Sequence, residues 1–296
     1  MIIPPYRITL SGGGLKGIAH IGALEVLAEN KLLGSVREYI GISAGALCTM
    51  CLCIGCSLTE LRMIISLLDF GRIRDLEPET MMNFPDTFGF DTGANLEKLL
   101  IAILRARRIN PRITFAELDA LKLGPRLRVI ATNMNTCLPH DFGVATTPDA
   151  EVVMGVRASM TIPLYFAPVR DPSTDHLYVD GGVICSSPFR FLTDEERKHT
   201  LSITFGDSHK PREDIGSLPD FLYQLYFSTD YRSNREMNSG WKRNVIEIEC
   251  GKTNIVMFEA SQERKMELMD VGRKGAEEFL RGAGAGRPPA RRFSVG

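Results

Sequence analysis

Three short stretches of this chain hold residue types that can do chemistry together. Gly41-Ile42-Ser43-Ala44-Gly45 follows one apolar run and precedes another, which predicts Ser43 on a sharp turn between a strand and a helix. Such a turn lifts the hydroxyl above the sheet, and the helix start behind it offers free N–H groups that favour developing negative charge. The flanking Gly41 and Gly45 leave room for backbone that a side chain would strike. Upstream, Gly12-Gly13-Gly14-Leu15-Lys16-Gly17 turns tightly between a first strand and a first helix. A glycine loop in that place can aim backbone N–H groups at an oxyanion, the species an acyl transfer must stabilise. Downstream, Asp180-Gly181-Gly182 ends a short strand, and the paired glycines let the chain turn away without covering the carboxylate.

A nucleophilic serine needs a base, and the chain has five histidines: His20, His140, His176, His199 and His209. An α/β-hydrolase places its nucleophile after several strands and its histidine last. Ser43 follows a single β-α-β unit, too early for that order, and His199 and His209 sit in no recognisable catalytic turn. His20, one turn past the glycine loop, reads first as a histidine tucked beside its helix. Asp180 is the better base, because burial can raise a carboxylate toward the working pH. A soluble carboxylesterase with a Ser–His pair stays open; it requires one of His20, His199 or His209.

Other signals lead elsewhere. Gly12, Gly14 and Gly17 also fit G-x-G-x-x-G, but a dinucleotide site needs an acidic residue at the end of the second strand, and that strand ends in Gly41-Ile42-Ser43. Cys48, Cys51, Cys53 and Cys56 have a metal-like spacing. On a helix they point round several faces and cannot converge on one tetrahedral ion, so they read as small buried thiols. No metal or other cofactor is expected. From Tyr39 to Thr59 no residue is charged, a length near the ~20 residues of a membrane-spanning helix. Gly41, Ser43, Gly45 and Gly55 interrupt it, so a buried strand, a turn and a core helix are predicted and no transmembrane segment. The 35 basic and 36 acidic residues give a net charge of −1, which argues against a nucleic-acid partner. Seven cysteines without a secretion signal suggest reduced thiols in a cytosol-like compartment.

The elements that must position these residues follow from periodicity. Strands are predicted at Tyr6–Leu10, Glu38–Ile42, Arg126–Asn133, Leu177–Asp180, Thr200–Phe205 and Val245–Ile248. Helices are predicted at Ile18–Asn30, Ala44–Cys56, Asn95–Arg107, Ala150–Ser159, Leu218–Met237 and Ser261–Leu280. Capping boxes at Ser57–Glu60 and Thr114–Glu117 open two more. The fold class is α/β: three layers, with a mostly parallel central sheet and helices on both faces. Residues 1–280 form one domain, and the Gly-, Pro- and Arg-rich 281–296 read as a disordered tail. Met81, Met82, Phe84, Phe88 and Phe90 lie in an irregular stretch that suits either a lid or a loop packed on the core.

Four ordered motifs carry a family resemblance: Gly-Gly-Gly-Leu-Lys-Gly at 12–17, Gly-Ile-Ser-Ala-Gly at 41–45, Arg-Ala-Ser-Met-Thr-Ile-Pro at 157–163 and Asp-Gly-Gly at 180–182. In order and spacing the chain resembles the patatin-like phospholipases, clearly over Arg7–Phe191. The resemblance implies a Ser–Asp dyad of Ser43 and Asp180, with an oxyanion hole at Gly12, Gly13 and Gly14. It implies a basic residue at Lys16, a wall-shaping proline at Pro163, and Gly17, Gly41, Gly45, Gly181 and Gly182 as support. It also implies no catalytic metal and a phospholipid substrate met at a membrane surface, so a cytoplasmic protein with peripheral attachment is expected. A non-catalytic lipid-binding scaffold is the rival from another class.

Overall fold

The computed structural model describes residues 4–75, 84–206, 240–251 and 260–284, with the isolated positions 215, 216, 221 and 224. The centre of the sheet is built from β10 (Val245–Ile248), β9 (Thr200–Phe205), β1 (Arg7–Leu10), β2 (Glu38–Gly41) and β4 (Arg126–Asn133), side by side and all parallel. This is the mostly parallel α/β sheet predicted above. Ile8, Leu10, Ile40, Val129, Ile203 and Ile246 are fully buried along it, the near-continuous apolar run expected of strands covered on both faces.

Alternation along β2 separates the two faces. Tyr39 joins the large core, whereas Ile40 and Ile42 join a smaller cluster with Ile130, Phe189, Leu192 and Val245. On the large side lie α1 (Ala19–Glu29), α2 (Ala44–Cys53) and the C-terminal helix Gln262–Gly284. The last of these crosses α1 with backbones in contact. A Cβ on Gly22 would sit 1.9 Å from Met269 O, and one on Gly272 would sit 1.9 Å from Ala19 O. The helix runs past the predicted Leu280 to Gly284; residues 285–296 lie outside the described residues, as do Met81, Met82 and nearly all of the predicted helix Leu218–Met237.

Both predicted capping boxes form. Glu60 N–H donates to Ser57 Oγ at 3.2 Å while Glu60 Oε2 accepts from Ser57 N–H at 2.7 Å, and Thr114 and Glu117 repeat the exchange. Sequence periodicity missed β5 (Leu138–Gly143), which pairs antiparallel with β4; Pro139 and the charged Asp141 hide its alternation. Three further short strands, β3 (Gly89–Asp91), β6 (Leu164–Phe166) and β7 (Val169–Arg170), carry no legible period either, and β3 pairs with β6. Among the described residues no helix is long and apolar enough to cross a membrane.

The pairing of β4 decides where the chemistry-bearing turns meet. β2 pairs with Arg126–Val129 in parallel, β8 (Leu177–Asp180) pairs with Ala131–Asn133 antiparallel, and β5 pairs with the whole of Arg128–Asn133. A strand has two edges, so β2 and β8 share the edge that β5 leaves. They lie end to end and point at each other. The register ends of β2 and β8, Gly41↔Val129 and Asp180↔Ala131, leave only Ile130 between them. Asp180 ends its strand as the sequence predicts, and the antiparallel direction of β8 is what turns that end toward Ser43.

Candidate active site

Ser43 sits between β2 and α2 with φ 54° and ψ −123°, a conformation that non-glycine residues rarely adopt. Strain of this kind costs about 1–3 kcal/mol and persists only where the surroundings enforce it. Three constraints do so here. Gly45, two residues on, packs where a Cβ would stand 2.2 Å from Leu10 O. Ile42 N–H donates to Leu10 O at 3.1 Å. Ser43 N–H donates to Ser159 Oγ at 3.1 Å, and that hydroxyl donates to Ile130 O at 2.6 Å.

Serine at a helix N-cap normally caps with its own oxygen. Ser43 occupies the N-cap position of α2 and makes no such bond. Its hydroxyl makes no hydrogen bond to any described residue, and the residue keeps 8% exposure in an otherwise closed region. The next N–H, that of Ala44, likewise donates to no described acceptor.

The glycine loop lies directly over this turn. A Cβ on Gly12 would come 3.2 Å from Ser43 Cβ, and one on Gly17 2.5 Å from Ala44 Cβ. The three glycines named for the oxyanion hole are not equivalent. Gly12 N–H is already engaged by Ser186 O at 2.9 Å, so Gly12 supplies clearance rather than a donor. The N–H groups of Gly13 and Gly14 reach no described acceptor, and Gly14 opens a 3-10 helix whose first donors have no partner inside it. Lys16 is 1% exposed, which places its ammonium in the protein rather than in solvent.

Asp180 is fully buried at the end of β8. Oδ1 accepts from Gly182 N–H at 2.8 Å, its N–H donates to Thr161 O at 2.7 Å, and its carbonyl accepts from Thr132 Oγ1 at 3.0 Å. A Cβ on Gly181 would stand 2.4 Å from Ile130 O and 3.3 Å from Ile42 Cγ1, so the Asp-Gly-Gly turn reaches the residue before Ser43. Pro163 is half-buried, immediately before Leu164 with φ 64°.

No local pattern gives the central residues of the stretch 157–163 a task. In the structure that stretch is a strap joining the two turns: Ser159 holds the backbone of Ser43 and Thr161 holds the backbone of Asp180. Arg157 anchors the strap. Its guanidinium donates to Thr161 Oγ1, to Gly93 O at 3.2 Å and to Thr92 O at 3.1 Å. Burial lowers its pKa to about 10, so it stays charged at neutral pH. The legible signal was a buried-type Arg and two hydroxyl residues on an i, i+2, i+4 spacing.

The histidines lie elsewhere. His20 is fully buried, its Nε2 2.9 Å from Ser11 O and its ring 4.7 Å from that of Phe205. Burial pulls its pKa down to about 4, which leaves it neutral. His140 packs on Phe142 and Tyr178, His176 meets Asn133, and His199 faces Glu195. His209 lies outside the described residues. No described histidine is hydrogen-bonded to Ser43. A cavity of about 790 Å³ lined by His140, Phe142, Met154, Asp171 and Tyr178 does not include Ser43, Asp180 or the glycine loop.

The family model described as patatin-like phospholipase matches residues 8–193. An uncharacterized protein, YqhO, of Bacillus subtilis is 28% identical over 291 residues, covering 92% of this chain and 96% of that one. A probable lipid hydrolase, 463L, of Invertebrate iridescent virus 6 is 32% identical over 185 residues, 61% of each chain. Among solved structures, VipD from Legionella pneumophila superposes with a TM-score of 0.65 at 17% identity, covering 95% of this chain and 67% of that one. The type III effector ExoU superposes at 0.57 and 17% identity, with 96% of this chain and 54% of the effector covered. At those identities the likeness is one of fold.

Proposed function

This chain belongs to the patatin-like phospholipase family, and from that premise we propose that it is a serine hydrolase of fatty-acyl esters in glycerophospholipids, working through Ser43 and Asp180. The observation that carries the reading is the head-on approach of β2 and β8 along one edge of β4, with a strained, uncapped serine at one strand end and a buried carboxylate at the other.

In the proposed reaction Ser43 Oγ attacks the acyl carbonyl carbon and its proton passes to Asp180. The carbonyl oxygen becomes an oxyanion held by the N–H groups of Gly13, Gly14 and Ala44, which no described acceptor occupies. The tetrahedral species collapses, the lysolipid oxygen leaves with the proton from Asp180, and an acyl-Ser43 ester remains. Water then gives a proton to Asp180 and attacks the ester; collapse releases the fatty acid and returns the proton to Ser43. The hydrogen bond between Ser43 and Asp180 is made with substrate in place, since such bonds commonly tighten only in the Michaelis complex. Neutral, buried His20 takes no proton in this scheme.

The test is product analysis on phospholipid vesicles, with wild type beside Ser43→Ala and Asp180→Asn. Fatty acid and lysolipid should appear with wild type and fall by about 10⁴-fold or more in either variant, a loss typical of removing one member of a catalytic pair. Chelators should leave the rate unchanged. Undiminished hydrolysis by Ser43→Ala sinks the mechanism, and binding of vesicles without hydrolysis by wild type supports the scaffold reading instead.

A further inference from the structure

The end of α2 remote from Ser43 holds a second set of reactive groups. The helix stops in a complete Schellman motif: Cys56 N–H donates to Cys51 O at 3.0 Å and Gly55 N–H to Leu52 O at 3.1 Å, with Gly55 left-handed at φ 84°. This motif sets the residue after the glycine against the residue five places earlier, and the contact is usually between two apolar side chains. Here both are cysteines, Cys51 and Cys56. The bond from Cys56 N–H to Cys51 O draws the two backbones together, and a disulfide requires such an approach, with Cα atoms about 4.4–6.8 Å apart.

The two thiols differ in surroundings. Cys51 is fully enclosed, whereas Cys56 lines a groove of about 350 Å³ with Met63, Ile64, Ala102, Ile103 and Arg107. Arg107 is fixed beside it, donating to Gly55 O at 2.8 Å and to Glu60 Oε1 at 2.9 Å. The contact with Cys51 first, and the Arg107 guanidinium next, hold the Cys56 thiol below the ordinary range; the same contact pushes Cys51 up. Burial pushes up Cys53 and takes Cys48 to about 12, so those neighbours stay inert thiols.

We propose that Cys56 and Cys51 form a peroxide-reactive dithiol, with Cys56 the attacking thiol at the groove and Cys51 the resolving thiol behind it. The Cys56 thiolate attacks one oxygen of hydrogen peroxide and the O–O bond breaks. Hydroxide leaves and takes up the thiol proton as water, and Cys56 becomes a sulfenic acid. Cys51 sulfur then attacks Cys56 sulfur; the S–S bond forms, the S–O bond breaks, and a second water leaves with the Cys51 proton. Two thiols give up two electrons to one peroxide. The pair lies at the opposite end of α2 from Ser43, so the inference stands whether or not the chain hydrolyses lipid.

The experiment treats the reduced full chain with one equivalent of hydrogen peroxide and counts thiols after denaturation. The chain has seven cysteines; the count should fall from seven to five and return to seven with dithiothreitol. Chymotryptic cleavage after Leu52 should leave the two halves joined by a Cys51–Cys56 link. Cys51→Ser should instead accumulate a dimedone-trapped sulfenic acid at Cys56, and Cys56→Ser should keep its six thiols. The exposed Cys137 is the internal control for simple accessibility. Persistence of seven thiols, consumption of Cys137 ahead of Cys56, or a link between any other pair overturns the proposal.

Discussion

The two ends of α2 are built on opposite principles. At its start the chain holds Ser43 in a strained conformation, leaves the hydroxyl uncapped and leaves Ala44 N–H without a described partner. At its end every requirement is met: a left-handed glycine turns the chain, and both Schellman hydrogen bonds form. Unsatisfied donors beside an uncapped hydroxyl are a cost to stability that a substrate oxygen can offset. Satisfied carbonyls and packed thiols stabilise the fold and offer nothing to a lipid ester. The comparison therefore separates rate from stability along ten residues of one helix.

Substitutions can break that comparison, and the largest effect is expected at the start of α2. Gly12→Ala places a methyl group 3.2 Å from where Ser43 Cβ stands and pushes the glycine loop off the turn. The expected outcome is a fall in kcat of about 10²–10³-fold, the usual loss when an oxyanion donor is displaced, in a protein whose circular dichroism is unchanged. A variant as active as wild type would place the oxyanion donors elsewhere.

Ser159→Ala is intermediate. It strips the acceptor from Ser43 N–H and the donor from Ile130 O in a buried site. Urea unfolding should report a loss of about 1–3 kcal/mol. Steady-state kinetics should report a fall in kcat of about ten- to a hundredfold with KM little moved, because the serine is repositioned rather than removed. A loss of stability with unchanged kcat would make the strap purely structural.

Gly55→Ala at the far end is the smallest. A Cβ on a left-handed residue costs about 1–2 kcal/mol, and the nearest atoms it would meet are Leu123 O and Arg107 Nη2. Thermal unfolding should shift down while kcat stays at the wild-type value. A matching fall in kcat would mean that the two ends are coupled.

Much of this was legible in the residues. The parallel sheet, the strand at Arg126–Asn133 with its exact bounds, both capping boxes and the turn at Gly41–Gly45 follow from local period and local chemistry. What was not legible is non-local. Nothing in Leu177–Asp180 tells that β8 runs antiparallel to β4, because direction is set by the partner and not by the strand. The strap was written in the sequence as Arg157, Ser159 and Thr161, yet their partners are 116 residues away in one case and 64 in another. Gly12 shares its loop with Gly13 and Gly14, and only the approach of Ser186 O reveals that its N–H is taken. The backbone contact of Gly22 with the C-terminal helix joins residues from opposite ends of the chain, and no periodicity encodes it.

The central claim is that β2 and β8 bring Ser43 and Asp180 together as nucleophile and base. It is tested most directly by labelling with a fluorophosphonate, read by intact mass and by peptide mapping. The account predicts one adduct per chain, located at Ser43, formed rapidly by wild type, absent in Ser43→Ala and strongly slowed in Asp180→Asn. An adduct at another residue, or labelling of Asp180→Asn at the wild-type rate, would contradict it.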